Sequence, residues 1–171
     1  MYPLLAFVDI FFDKIVAFLL INWWAAIFTN SNGYLPNWLK WFQTFDAPLD
    51  AGWKDSYKGY KEPTGPLSRW WQRTKWLYRN SAYGFSYWAL GKPFDSKQWT
   101  VLKYEQTPER DLFHAIGPDG QFNITYYGKW GTIKLGWKAW NYWRGDRWSD
   151  KPWGPEWRVP LVFSVNPFRR K

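Results

Sequence analysis

Residues Leu4–Phe28 read LLAFVDIFFDKIVAFLLINWWAAIF, and no other run in the chain is comparably long and apolar. As one α-helix this stretch is about 38 Å long, enough for a hydrocarbon core of about 30 Å. Its uninterrupted part, Ile15–Phe28, is only about 21 Å. Asp9, Asp13 and Lys14 make the difference. Leu, Ile, Phe and Val side chains favour insertion by roughly 0.3–0.6 kcal/mol each, while Asp and Lys oppose it by roughly 2.5–3.5 kcal/mol each at mid-membrane. With fifteen of the former against three of the latter, the totals nearly cancel and spanning is marginal. Charges held near one interface cost less, which keeps spanning open. Asp9 and Asp13 are four apart and share a helical face that continues as Val16, Leu20, Trp24 and Ile27. The second half is apolar all round, so it belongs in lipid or in a large core. Membrane association is the leading expectation and a core helix the alternative. The start lacks a basic segment and no small-x-small site follows the run, which argues against a cleaved signal peptide.

Working outward, the 171 residues suit one domain plus this N-terminal element. Composition divides them into 1–33, the apolar helix and anchor candidate; 34–97, an aromatic and basic helical region with a Pro/Gly-rich linker at 46–66; and 98–171, a β region with a Trp-rich loop at 140–158. Cysteine is absent, which excludes disulfides and thiolate chemistry. Aromatics form 24% of the chain and include 17 Trp, more than a small core needs. Rings in excess belong at interfaces where one end is dry and the other wet. The net charge of +9 is uneven: residues 1–50 carry −2, 51–110 carry +6 and 111–171 carry +5. A basic body behind an apolar head suits an anionic partner, lipid or nucleic acid. A solvated basic surface is the plainer alternative.

After a polar break at residues 29–33, Pro36–Phe45 (PNWLKWFQTF) predicts a short helix with Pro at its first position. Trp38, Trp41, Phe42 and Phe45 would then share one face, as in an in-plane interfacial anchor or an ordinary core-facing helix. Trp53, Tyr57 and Tyr60 are expected to tether the linker. Residues 67–90 predict two helices or one bent helix, broken near Ser81 and Gly84 and stopped by Gly91 and Pro93. Arg69, Arg73 and Arg79, with Lys75 beside them, are its anionic-partner candidates. From Gln98 the pattern changes to period two. Trp99–Glu105, Asp111–Gly117, Gln121–Gly128 and Gly131–Lys138 read as strands of an antiparallel meander. Phe122, Ile124, Tyr126, Ile133, Leu135 and Trp137 form its expected dry face, and Asn123, Thr125 and Thr132 lie on its wet one. Val159–Val165 adds a fifth strand that Pro160 confines to an edge or a strand start. The fold class is therefore α+β: N-terminal hydrophobic and amphipathic helices, then an antiparallel β-meander of four to five strands.

Chemistry is sparse. The single histidine, His114, has no nucleophilic partner motif and reads as an ordinary strand residue. No zinc or calcium ligand spacing is present, nor a phosphate-binding glycine loop. Gly128-Lys129-Trp130-Gly131 has the spacing of a GxxG nucleic-acid clamp, but its flanks read as strands rather than helices. Arg144-Gly145-Asp146 and Asn123-Ile124-Thr125 match short adhesion and glycosylation motifs by chance. The expectation is a protein that is not an enzyme, with no cofactor, no metal and no small-molecule substrate. Within the Trp-rich loop, Trp148, Trp153 and Trp157 are the contact candidates.

The segments WLYRNSAYGFSYWALG (Trp76–Gly91), LGWKAW (Leu135–Trp140) and VFSVNPF (Val162–Phe168) resemble a family of tailed-bacteriophage proteins without an assigned activity. The likeness covers residues 36–171. It implies a phage product acting in or on a bacterial cell, and it carries over no site residues. The combined expectation is a non-enzymatic, membrane-associated phage accessory protein. Leu20, Trp23, Trp24, Trp38, Trp41, Phe42 and Phe45 would anchor it at the host inner membrane. Were the helix to span, the positive flank would keep the body in the cytoplasm. One alternative is a soluble cytoplasmic module that binds a host protein or nucleic acid. Another is a virion or sugar-binding component that uses the Trp-rich loop.

Overall fold

The computed structural model describes residues 1–169. The fold is α+β, with an N-terminal helix over residues 2–28 followed by a five-stranded antiparallel sheet and a separate two-stranded one. The chain forms two compact units: Ile10–Ala89, and Met1–Asp9 together with Leu90–Lys171.

The N-terminal helix is α-helical over Tyr2–Phe11 and π-helical over Phe12–Ile21, then finishes as an α turn, Asn22–Ala25, and a 3-10 turn, Ala26–Phe28. The amide of Asn22 donates to the carbonyl of Ala17, the i→i−5 bond of the wider helix. The wider turn changes which side chains share a face. Leu20 and Ile27 leave the face assigned to them by a 3.6-residue period and stand exposed, whereas Ala17, Asn22, Ala25 and Ala26 are buried.

Within Ile10–Ala89 those small residues join Leu35, Leu39, Phe42, Leu49, Trp76 and Leu77 in one core. Phe12 is sandwiched between Phe42 and Phe85, with ring centroids 5.3 and 3.9 Å away. The helix Pro66–Arg79 begins at a proline that fits the first helical turn, where no intrahelical amide bond is lost. It ends before Ala82, whose left-handed backbone (φ 51°) turns the chain into the helix Tyr83–Trp88. A Cβ on Gly84 would lie 2.3 Å from the carbonyl oxygen of Lys40, so only glycine permits this approach, which Phe85 N–H seals by donating to Trp41 O at 2.8 Å. The expected helix over 36–45 does not form. Only Asn37–Leu39 is helical, as a 3-10 turn, and a 3-10 turn does not sustain the 3.6-residue repeat that would align four rings. Residues 46–66 are packed as well as connecting: Leu49 has no exposed surface, and Tyr57 and Tyr60 set their rings against Trp76.

In the other unit the strands are β1 (Lys92–Pro93), β2 (Thr100–Gln106), β3 (Arg110–Ile116), β4 (Phe122–Gly128), β5 (Gly131–Trp137), β6 (Arg158–Val159) and β7 (Leu161–Asn166). The main sheet runs β2-β3-β4-β5-β7, all antiparallel, and β1 pairs with β6. Pro160 immediately precedes edge strand β7, where its missing amide costs no ladder bond. Tyr2 from the helix start belongs here: its hydroxyl donates to Val162 O at 2.9 Å and its ring meets Phe122 and Trp137.

The alternation of the strands is as expected, but apart from Trp137, which is buried as expected, the covered face is the opposite one. Phe113, Ala115, Asn123, Thr125 and Thr132 are buried, and the rings of Trp140, Trp143 and Trp148 lie against Phe113 at 5.4–6.1 Å. The more apolar rows, Leu112–Tyr126–Ile133–Val165 and His114–Ile124–Leu135–Phe163, run across the other face, and none of their members is buried. The physical reason is Asn123. Its Oδ1 accepts from Trp140 N–H at 2.9 Å, and its Nδ2 donates to Leu135 O and Thr125 Oγ1. These bonds tie the start of the Trp-rich segment to the Asn/Thr face. We expect Asn123→Leu to strip the Trp140 amide of its partner and cost about 1–3 kcal/mol; a urea midpoint within error of wild type would show that the tie is dispensable.

Candidate membrane-facing surface

The outward face of the N-terminal helix is large and apolar. Within Ile10–Ala89, Phe11, Ile15, Phe18, Leu19, Leu20, Trp23, Ile27 and Phe28 are each 42–67% exposed. In the other unit, Leu4, Phe7 and Val8 are exposed as well. Phe11, Ile15, Leu19, Trp23 and Ile27 follow one another at intervals of four. Such positions creep forward around an α-helix, and the wider π segment offsets that drift. The inward face mixes small and polar residues, Ala17, Asn22, Ala25 and Ala26, with Phe12, Val16 and Ile21, which pack against the core. Asn22 has no exposed surface and donates to Leu77 O and Ser81 Oγ. The helix thus leaves a second, larger apolar stripe outward, where an ordinary surface helix carries polar residues.

The anchor candidates separate into three groups. Leu20, Trp23 and Trp38 are more than half exposed. Trp24 is half-buried, donates its indole N–H to Leu20 O, and forms a cluster with Phe28 and Trp38 at 5.4–6.4 Å. Trp41 is half-buried with the Lys40 ammonium 5.3 Å from its ring. Phe42 and Phe45 are buried, Phe42 against Phe12 and Phe45 stacked on Tyr87 at 3.7 Å. These two rings belong to the core and not to an exposed face.

The basic candidates do not make one solvated face either. Arg69 is exposed and lines a cavity of about 490 Å³ with Ile27, Leu67 and Trp70. Arg73 is buried and holds Asp50 through two bonds, Nε to Oδ1 at 2.6 Å and a terminal nitrogen to Oδ2 at 3.2 Å. Lys75 donates to Gly59 O and covers Tyr60, and Arg79 covers Tyr57. In the Trp-rich loop, Trp148 sets its edge on Phe94 and Phe113, and Trp153 lies under the Lys138 ammonium. Trp157 stacks on Tyr142 and keeps 41% of its surface exposed.

Leu67 and Trp71, 76% and 53% exposed on the Pro66–Arg79 helix, were not singled out by sequence, because amphipathic spacing on a basic helix does not reveal which stripe is covered. Among the described residues, no group of His, Cys, Asp and Glu could hold a metal ion. No helix among them is both long and apolar enough to cross a membrane. The surface offers apolar area, exposed tryptophans and a flanking arginine.

The fold and surface define an α+β chain whose helix carries its apolar face outward. The chain belongs to a family described as a family of unknown function (DUF7338), whose family model matches residues 1–171. No curated protein and no solved structure matches it.

Arg69 and Arg73, one turn apart, are expected to differ sharply. Arg73→Glu sets a second carboxylate against buried Asp50 and should cost about 3–5 kcal/mol. Arg69→Glu should stay within about 0.5 kcal/mol, as exposed sites do. Urea denaturation of both variants checks this, and equal losses would contradict the assigned burial.

Proposed function

We propose that this protein binds the surface of an anionic membrane, with the N-terminal helix lying in the plane of the interface. One observation carries the reading: large apolar side chains of the helix face outward while alanines and Asn22 face the core. Lipid is the occupant because of what surrounds that face. Trp23 and Trp38, exposed rings with a polar handle, suit the headgroup level. Arg69 lines a cavity with Ile27 and Leu67, and a cation near an anionic surface contributes about 1 kcal/mol. The chain carries a net charge of +9. An in-plane helix needs no uncharged span of membrane thickness, so the charged Asp13–Lys14 pair, 2.6 Å apart, can sit at its edge. The resemblance to tailed-bacteriophage proteins directs this reading to the inner membrane of an infected bacterium, approached from the cytoplasm, and to an accessory role without catalysis.

Flotation with phosphatidylglycerol-containing vesicles tests it. The wild-type chain should float with them and stay bound after a high-salt wash. Leu20→Asp, at a site 56% exposed, should abolish flotation while the melting temperature moves little. Undiminished flotation of a folded Leu20→Asp protein would remove the helix as the anchor. A wild-type chain that ignores vesicles and forms a dimer dispersed by Leu20→Asp would mean that a second copy, not lipid, covers the face.

A further inference from the structure

The open face of the five-stranded sheet is hollowed at one end. The hollow has a volume of about 1090 Å³ and lies between two hairpin tips, Thr107–Arg110 of β2–β3 and Gly128–Gly131 of β4–β5. Its origin is local. Gly128 and Gly131 face each other across the ladder and put no side chain on this face. Tyr126 lies across the space left at Gly128, whose Cβ would fall 2.3 Å from the Tyr126 hydroxyl. Tyr126 and Ile133, paired across the strands, line the floor.

The walls carry different chemistry. Trp130 sits in the turn before Gly131, a glycine with φ 107°, and the ring is 74% exposed. On the other wall Arg110 grips Glu105 through two bonds of 2.7 Å, and this grip holds the Glu105 carboxyl below its usual range. Glu109 and Lys129 complete the lining charges. Two acids and two bases cancel, so the hollow is neutral although the chain is strongly basic.

We propose that this hollow binds a neutral oligosaccharide. A pyranose ring presents an apolar C–H face that packs on an aromatic ring, and Trp130 and Tyr126 supply two such rings in one concavity. Its rim is a set of hydroxyls that both donate and accept, which the Glu105 carboxylate and the Arg110 guanidinium can match as acceptor and donor. With the Arg110 charge engaged by Glu105 and the lining neutral, phosphate meets no net attraction here, so nucleic acid and anionic headgroups gain nothing at this place. A volume at the top of the roughly 300–1,000 Å³ range of small-ligand sites, in an open hollow, suits a chain of sugars more than a single ring. The Trp-rich loop is the poorer sugar surface, because Trp148 packs on Phe113 and Trp157 on Tyr142, whereas the ring of Trp130 stays 74% exposed, with the ammonium of the exposed Lys129 side chain 5.1 Å away.

The experiment is saturation-transfer NMR and calorimetry on the whole chain, without vesicles, using cellohexaose, maltohexaose and the hexamer of N-acetylglucosamine. At least one should bind at millimolar concentration or below. Trp130→Ala and Glu105→Gln should each weaken it by about tenfold or more, the usual effect of removing a central contact. Trp38→Ala, which removes an exposed tryptophan elsewhere, should leave it unchanged. Failure of all three sugars to bind, or binding that survives Trp130→Ala, would overturn the proposal. So would loss of vesicle flotation in Trp130→Ala without any sugar bound, since Trp130 would then be a lipid anchor. Because the sugar measurements contain no lipid, their outcome is separate from that of the membrane reading.

Discussion

A single buried amide sets the attitude of the N-terminal helix. Asn22 has no solvent exposure and spends its Nδ2 on Leu77 O and Ser81 Oγ. Rotating the helix to hide its phenylalanines would pull that amide out and leave the Leu77 carbonyl and Ser81 hydroxyl without it. An unsatisfied buried polar group costs about 1–3 kcal/mol. The alanines beside Asn22 add close packing against Trp76 and Leu77, which bulky residues in their place would prevent. The two Nδ2 bonds of Asn22 and the small side chains beside it hold one face inward and leave most of the large apolar side chains on the other.

The sheet unit repeats the device. Asn123, also without exposed surface, ties Trp140 and Leu135 together on a face of threonine, alanine and phenylalanine. The isoleucine, leucine and valine rows go outward as a result. In both units an asparagine directs the packing, and apolar area is left at the surface for other molecules to use. The two apolar surfaces differ in electrostatic character: the helical one has Arg69 near it, while the hollow in the sheet has acids and bases in balance.

Strand positions were legible because period two survives in a single sequence, and Pro160 marked its strand as an edge or a strand start; it precedes the edge strand β7. Which face would be covered was not legible, because alternation is symmetric between faces and hydrophobicity pointed to the wrong one. The decisive bonds run from Asn123 to Trp140, far apart in sequence. The apolar stretch was legible as a helix, yet its π-helical turns moved Leu20 off the Asp9–Asp13 face. Phe42 and Phe45 looked like partners of Trp38 only while a 3.6-residue period was assumed. Arg73 resembled Arg69 in sequence, and nothing local announced Asp50 as its partner. Trp130 was visible only as a residue within a GxxG spacing, since its setting depends on a neighbouring hairpin.

The pairing of Tyr2 with Val162 has a consequence for how the chain matures. Residues 1–9 are synthesised well before β7, although Tyr2 bonds Val162 across a separation of 160 positions. Closing so distant a contact is slow, because the entropy of the intervening loop opposes it until both partners exist. Ile10–Ala89 can gather its core during synthesis, whereas the first nine residues must wait for β7. For that interval the nascent chain presents Tyr2 and Leu5 without the core they later pack against.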